Sequence, residues 1–170
     1  KRQILVYSGA STPASLVLSD TVGSIGCIAR DTIQSIGTDV VFLSDSGVRS
    51  LMRTIQEKSA PLRDLSKNVR FDLASSLAGE TLANLKSVYS EKEAFYLLVL
   101  PATLQVYCFD TKQSLQDGAS RVTKWDNIAP TSLRSLRNGD LYLGKNGYIG
   151  KYGGYLDDTL SYRFSYYTNN

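Results

Sequence analysis

The chain contains no histidine, one methionine, one tryptophan and two cysteines among its 170 residues. Without histidine, the Ser-His-Asp and Cys-His arrangements of hydrolases cannot form within this chain. Zinc sites that use imidazole are excluded for the same reason. Cys27 and Cys108 lie far apart in the sequence and lack the short spacing of metal-binding or redox motifs. We therefore expect two free, buried thiols rather than a disulfide.

Long hydrophobic runs and a strong charge of either sign are also missing. The 19 basic and 16 acidic residues give a formal net charge of +3, and the basic residues are scattered, so bulk charge does not indicate nucleic-acid binding. The opening KRQILVYSGA has too short an apolar stretch for a signal peptide or a spanning helix, and we expect no membrane insertion. The lysine at position 1 and the strand-like last residues favour an excerpt of a longer protein.

From Thr32 onward, the sequence shows the alternation and short apolar runs that are typical of β-strands. A three-strand meander is predicted from TIQSIG, DVVFLS and GVRSL. Four further strands are predicted from LKSVYS, AFYLLVL, TLQVYCF and SRVTKW, and a third set from LRSLR, DLYLG, GYIGKY and LSYRFSYYT. Asn138-Gly139 and Asn146-Gly147 are strong turn signals. Gly47 and Gly147 are expected to supply positive φ angles in their turns.

Between the first and second sets, the apolar period changes to that of a helix. One stripe of a helix would carry Leu62, Leu65, Val69, Leu73 and Leu77. Ser59 is a plausible cap for this helix, and Pro61 suits its first turn. We predict one helical insertion near residues 60–78 that ends before Gly79.

The three β sets are spaced like repeats. Val40, Phe95 and Leu141 each begin an apolar run that a turn and an alternating strand follow. The intervals approach the ~40–50-residue period of propeller blades once the helical insertion is allowed for. Residues 1–170 are therefore predicted to form a single β-rich domain, or an excerpt of a larger propeller. The fold class is mainly β, with antiparallel four-stranded meanders, propeller-like in part, and one helical insertion. A sandwich of about ten strands is the alternative.

Two short motifs suggest propeller families, and both favour a structural role. Trp125-Asp126 matches the dipeptide of WD-repeat blades, but those blades also use a Gly-His pair that this chain lacks. A strand-end tryptophan that fills the core beside a turn aspartate is the favoured interpretation. The stretch SDSGVRS (44–50) is similar to the Asp-box turn of sialidase-like propellers, but it lacks the tryptophan of that box. A plain turn is predicted there.

Paired carboxylates are the remaining candidates for chemistry, since two of them can carry out glycoside hydrolysis. The available acids are Glu91, Glu93, Asp117, Asp157 and Asp158. All of them lie in predicted turns, where acidic residues serve solvation and turn geometry. The sequence also lacks an EF-hand or phosphate-loop pattern. We therefore predict no catalytic, cofactor-binding or metal-binding residues, no cofactor and no enzyme activity.

The tyrosine-rich stretch from Tyr142 to Tyr167 has three possible uses. Aromatic side chains serve both sugar-binding platforms and subunit contacts. They also favour β-structure and core packing, and this third use is the favoured interpretation.

Several stretches in order resemble one family, and the resemblance covers roughly residues 20–170. They are PLRDLSKNVR, YSEKEAFYLLVLP, VYCFDTKQ, RVTKWDN, NGDLYLG and YIGKYGGYLDD. Together they are similar to the tail nozzle proteins of short-tailed bacteriophages, also called tail tubular protein B. Members of that family are much longer, build a propeller-like body, and assemble as a six-fold ring beneath the portal and adaptor. The ring forms the channel through which DNA leaves.

The resemblance implies a structural virion protein without catalysis, which is located in the phage tail and assembled in the host cytoplasm. Its implied partners are other copies of itself in a ring, the adaptor and tail proteins, and passing DNA that it does not bind specifically. A carbohydrate-binding or glycoside-processing propeller of a virion is the alternative. A cellular interaction propeller of the WD type is a third hypothesis, which the missing histidine disfavours.

Overall fold

The computed structural model describes residues 3–58, 64–126, 128–154, 156–157 and 160–161. This part of the chain is mainly β, with four small antiparallel sheets, one pair of two-residue strands and two short helices. The strands are β1 (Gln3–Ser8), β2 (Val17–Gly23), β3 (Gln34–Ile36), β4 (Asp39–Ser44), β5 (Gly47–Ser50), β6 (Lys86–Ser90), β7 (Phe95–Leu100), β8 (Gln105–Ser114), β9 (Ser120–Asp126), β10 (Ser132–Ser135), β11 (Leu141–Lys145), β12 (Tyr148–Lys151), β13 (Leu156–Asp157) and β14 (Leu160–Ser161). The helices are α1 (Leu51–Glu57) and α2 (Arg70–Leu77).

Three of the sheets are meanders, and they correspond to the three predicted sets of strands. The first meander is β3-β4-β5, the second is β6-β7-β8-β9 and the third is β10-β11-β12. β1 and β2 form a separate hairpin. Only the second meander has the predicted four strands. In the third set, β14 pairs with β13, and most of LSYRFSYYT lies outside the described residues. The described residues do not form a closed propeller.

The turns follow the glycine positions that the sequence indicated. Gly47, which follows the β4–β5 turn, has φ 133°, and Gly147, in the β11–β12 turn, has φ 82°. Both angles lie in the region that L-residues rarely adopt, so the prediction of positive φ at these two glycines is confirmed.

The predicted helix forms over only the second half of its predicted span. α2 ends at Leu77, before Gly79 as expected, but the segment 64–66 is not helical. Ser59, Pro61 and Leu62 lie outside the described residues. The backbone N–H of Leu65 donates to Val48 O (2.9 Å), and its C=O accepts from Ser120 N (3.0 Å). These bonds tie the segment to two meanders at once.

The apolar stripe of that segment nevertheless points into the core, as the 3.6-residue period predicted. Leu65 and Leu73 are buried there, and Val69 and Leu77 pack against the same cluster. The described residues of this stripe therefore face the core as predicted. They do so from a 3₁₀ turn over Lys67–Val69 and the eight-residue α2, which take the place of one long helix.

α1 was not predicted, because the sequence was expected to continue as a strand through Leu51. Ser50 Oγ accepts a hydrogen bond from Arg53 N (3.2 Å), which is the N-cap interaction of a helix. Asp39 Oδ1, from β4, accepts from Met52 N (3.0 Å). These two oxygens satisfy backbone donors that a helix start leaves without partners.

The second meander has an apolar core on each of its faces. The first core, between the first and second meanders and α2, contains Ala29, Val41, Leu43, Val48, Leu65, Leu73, Leu85, Tyr96, Leu98, Leu100, Tyr107 and Phe109. The second core, between the second and third meanders, contains Val88, Phe95, Leu97, Val99, Val106, Cys108 and Leu141. β7 alternates between the two, because successive side chains of a strand point to opposite faces.

The first strands of the three meanders lie side by side. β6 contacts β3 of the first meander and β10 of the third. The meanders therefore stack in chain order, with apolar side chains between their faces and their first strands in one row.

Candidate functional site

Three of the acidic candidates occupy turns, as predicted. Glu91 and Glu93 lie in the β6–β7 turn, and Asp117 lies in the β8–β9 turn. The prediction of a turn was wrong for Asp157, which belongs to β13, while Asp158 lies outside the described residues. The Asp117 carboxylate accepts from Lys67 Nζ (2.8 Å) and from Ala119 N (3.1 Å). The bond from Lys67, and after it the bond from Ala119, lowers the pKa of the Asp117 carboxyl below its usual range. A carboxylate that stays ionised cannot act as the general acid of a glycosidase.

Trp125 occupies the structural position that was favoured for it. Its ring stacks on Tyr152 (centroids 5.9 Å apart, interplanar angle 3°) and meets Phe95 edge-on (6.1 Å). The side chain packs against the second core. Asp126 is exposed at the end of β9. The pair is thus a core aromatic followed by a strand-end acid, as expected.

The SDSGVRS turn is stabilised by hydrogen bonds from the arginine within the same stretch, Arg49. Arg49, only 5% exposed, donates from Nε to Ser44 Oγ (3.1 Å) and from Nη2 to Ser46 Oγ (2.8 Å). Ser44 Oγ in turn donates to Gly47 O (2.8 Å). The donors and the hydroxyls are used to fix the hairpin, so the prediction of a plain structural turn is confirmed.

A polar cluster that the sequence did not reveal joins α2 to the second meander. The Tyr107 hydroxyl donates to Asp72 Oδ2 (2.6 Å), and Ser76 Oγ lies 2.9 Å from it. Lys124 Nζ lies 3.4 Å from the same carboxylate and 5.6 Å from the centre of the tyrosine ring. Burial, and after it the bond to Asp72, raises the pKa of Tyr107 far above its usual value. The phenol therefore remains protonated and anchors the helix.

A second polar cluster links the segment before β3 to the start of β6. Asp31 pairs with Lys86 and with Arg30. The bond from Lys86, then that from Arg30, lowers the pKa of Asp31 to about 2. Ser87 Oγ also donates to Asp31 O (2.9 Å). The ion pair and the adjoining hydrogen bond attach the first meander to the second at the row of first strands.

Exposed large apolar side chains lie next to one another on two surfaces of the described part of the chain. The β1–β2 hairpin exposes Leu5, Tyr7, Leu16, Val17 and Leu18, each by about half or more. On β12, Tyr148 is 81% and Ile149 79% exposed. Clusters of exposed apolar side chains mark contact surfaces more often than catalytic sites. We call the first of these the hairpin surface and the second the β12 surface.

An apolar cleft lies beside the hairpin surface, between the hairpin and the outer face of the first meander. Its volume is about 160 Å³, and it is lined by Ile4, Cys27, Ile33, Val40, Phe42 and Leu51. The lining offers a thiol as its sole side-chain hydrogen-bonding group, and Cys27 Sγ donates to Ala29 O (3.0 Å). The cleft therefore suits an apolar group.

The tyrosine-rich stretch divides among several roles. Tyr142 is half-buried on β11, Tyr148 is exposed, and Tyr152 stacks on Trp125. Tyr155 and the residues from 162 onward lie outside the described part of the chain. Core packing accounts for Tyr152, while Tyr148 is available for contact.

Neither cysteine forms a disulfide, as predicted. Cys108 is buried as expected, but Cys27 is only half-buried. Burial raises the pKa of the Cys108 thiol to about 11. Among the described residues, cysteine, aspartate and glutamate side chains do not come together in groups that could hold a metal ion. Within the same residues, neither helix has the length and hydrophobicity to span a bilayer.

No protein-family model, curated protein or solved structure matches this chain. The resemblance to tail nozzle proteins therefore depends on the order of the quoted stretches alone.

Proposed function

We propose that this chain is part of a structural virion protein, a phage tail nozzle whose body surrounds the passage through which DNA is ejected. The observation that carries the proposal is the stacking of the three meanders. Their first strands β3, β6 and β10 lie in one row, and two apolar cores join their faces. Successive blades of a propeller-like body are related in this way.

The uncovered surfaces support a protein that works through contacts. The hairpin surface and the β12 surface belong to the first hairpin and the third meander, on either side of the central stack. In the proposed assembly they receive neighbouring blades, other copies in the ring, or the adaptor and tail proteins. Each is apolar enough to be stabilised by such burial.

The charge distribution supports a passage that does not retain DNA. Four lysines are paired with aspartates at 2.5–2.9 Å, namely Lys58, Lys67, Lys86 and Lys151. Pairing weakens the positive field that clustered lysines would present to phosphates, and fewer phosphate contacts mean weaker, salt-sensitive binding. DNA would slide along such a surface.

Localisation of the full-length product tests the proposal. Purified particles are expected to contain it in several copies, and an antibody against this chain should label the tail. Absence of the product from particles that are otherwise complete would refute a virion role. The isolated chain should bind duplex DNA weakly at low salt and lose that binding as salt is raised.

A carbohydrate-binding module of a virion is the second candidate, and the exposed ring of Tyr148 favours it because aromatic faces bind sugars. A glycan-array signal that Tyr148→Ser abolishes, while Tyr7→Ser leaves it intact, would support this candidate over the nozzle. The glycosidase version requires release of reducing sugar from host polysaccharide. That release would have to be lost in Glu91→Gln, Asp117→Asn or Asp157→Asn, and we expect no release from the unaltered chain.

A further inference from the structure

We propose that Asn146 is a modification site, at which spontaneous deamidation converts the β11–β12 turn into aspartate and isoaspartate forms. Asn146 precedes Gly147, and glycine leaves the backbone nitrogen open to a preceding side chain because it has no Cβ. Nothing lies within 4 Å of the point that a Cβ on Gly147 would occupy. Both residues are exposed and have positive φ, 53° and 82°.

The groups that react are not restrained. No described residue forms a hydrogen bond with the Asn146 side chain or with the Gly147 N–H. Lys145 is the preceding residue, and its positive charge favours loss of the N–H proton that the reaction requires. The turn is thus accessible to water and free of competing bonds.

The second Asn-Gly pair provides the contrast. Asn138 donates from Nδ2 to Asp140 Oδ2 (3.0 Å), and its Oδ1 accepts from Asp140 N (3.0 Å). The Gly139 N–H donates to Leu136 O (2.9 Å). The side-chain amide and the attacking nitrogen are therefore both held, and the Asp140 carboxylate opposes formation of an anion. The structure assigns opposite reactivities to two identical dipeptides.

The reaction needs only water. Gly147 N loses its proton and forms a bond to Asn146 Cγ, the bond from Cγ to the side-chain nitrogen breaks, and ammonia carries the proton away. Water then opens the cyclic imide at either carbonyl, giving aspartate or isoaspartate. The isoaspartate form places an additional methylene in a two-residue turn. Tyr148 and Ile149, which follow directly on β12, would be displaced by that insertion.

Peptide mass spectrometry of the whole chain, after incubation at mildly alkaline pH, tests the assignment. Asn146 is expected to deamidate several-fold faster than Asn138 in the folded chain, and isoaspartyl methyltransferase should label the 146 peptide first. In urea the difference between the two rates should narrow, since the hydrogen bonds that hold Asn138 and Gly139 are lost. Equal rates in the folded chain, faster reaction at Asn138, or no reaction at Asn146 would overturn the proposal.

Two variants separate the structural cause from the sequence. Asp140→Ala removes the carboxylate that accepts from Asn138 Nδ2, while the backbone bond from residue 140 N to Asn138 Oδ1 can remain. Loss of the carboxylate should raise the rate at Asn138, with Asn146 as the internal reference. Asn146→Gln should abolish labelling of the 146 peptide, because the longer side chain would have to close a larger ring. An unchanged rate at Asn138 in Asp140→Ala would show that the carboxylate does not protect Asn138 and would refute that part of the structural explanation.

Discussion

Two glycines in turns share a positive φ but differ in what surrounds them. A Cβ on Gly47 would overlap Ser66 Oγ, the oxygen that accepts from Val48 N, whereas Gly147 faces open space. Gly147→Ala should therefore cost about 1–2 kcal/mol through left-handed strain alone. Gly47→Ala should cost more, since Ser66 must also move. Urea unfolding followed by tryptophan fluorescence measures both variants, and equal losses would argue against the Ser66 contact.

The Cys108 thiol makes stability depend on alkaline pH. Burial raises its pKa from 9.0 to about 11. Because the folded-state pKa is the higher one, the stabilisation is complete below pH 9 and is lost as the pH rises to about 11. Stability of the unaltered chain should fall more steeply across this window than that of Cys108→Ala. Urea midpoints under reducing conditions give the comparison, with Cys27→Ala as control; parallel pH profiles would contradict it.

At the scale of elements, α2 packs against the first core through one face of the helix. Leu73 is 1% exposed in the first core, whereas Phe71 on the same helix is 90% exposed. Leu73→Ala should cost about 2–5 kcal/mol, because it removes buried methyl groups and leaves a cavity. Phe71→Ala should change stability by less than about 0.5 kcal/mol. Chemical denaturation of the two variants measures these changes in the free energy of unfolding. A large loss of stability in Phe71→Ala would mean that α2 packs differently.

The strands of the three meanders could be predicted from the sequence, whereas the β1–β2 hairpin was not predicted and the helices were predicted only in part. Period-two alternation and Asn-Gly turns are local signals, so the three sets of strands were found. α1 depends on the Asp39 carboxylate, which comes from β4, and a local pattern does not contain that contact. The segment 64–66 has a helical apolar spacing, but its backbone bonds go to Val48 and Ser120. The segment is therefore not helical, because its tertiary hydrogen bonds outweigh the local preference that the apolar spacing indicates.

At the scale of the whole molecule, local sequence patterns could again predict the candidate site only in part. Residue types alone disfavoured a catalytic pair, and Glu91, Glu93 and Asp117 lie in turns, as the sequence predicted. The Tyr107–Asp72–Lys124 cluster could not be foreseen, because its members are far apart in sequence and meet only when α2 docks. The repeat spacing predicted similar meanders. The repeat spacing did not show which faces of the meanders pack together. The structure does, because successive side chains of β7 alternate between the two cores.

Because β7 supplies side chains to both cores, the three meanders should unfold as one unit. Leu98 belongs to the first core and Leu97 to the second, and both are essentially inaccessible to solvent. Leu98→Ala and Leu97→Ala should each lose about 2–5 kcal/mol. Trp125 packs against the second core and reports on it by fluorescence, while far-UV circular dichroism reports on all the sheets.

Coincident transitions by the two probes, in the unaltered chain and in both variants, are expected for a single cooperative stack. In Leu98→Ala the lesion lies in the first core, on the face of β7 opposite to the tryptophan, yet the fluorescence midpoint should fall together with the dichroism midpoint. If the fluorescence midpoint stayed in place, the first and second meanders would be separate folding units. In the proposed nozzle, blades that unfold as one unit would share load between neighbours, because both cores use side chains of the same strand, β7.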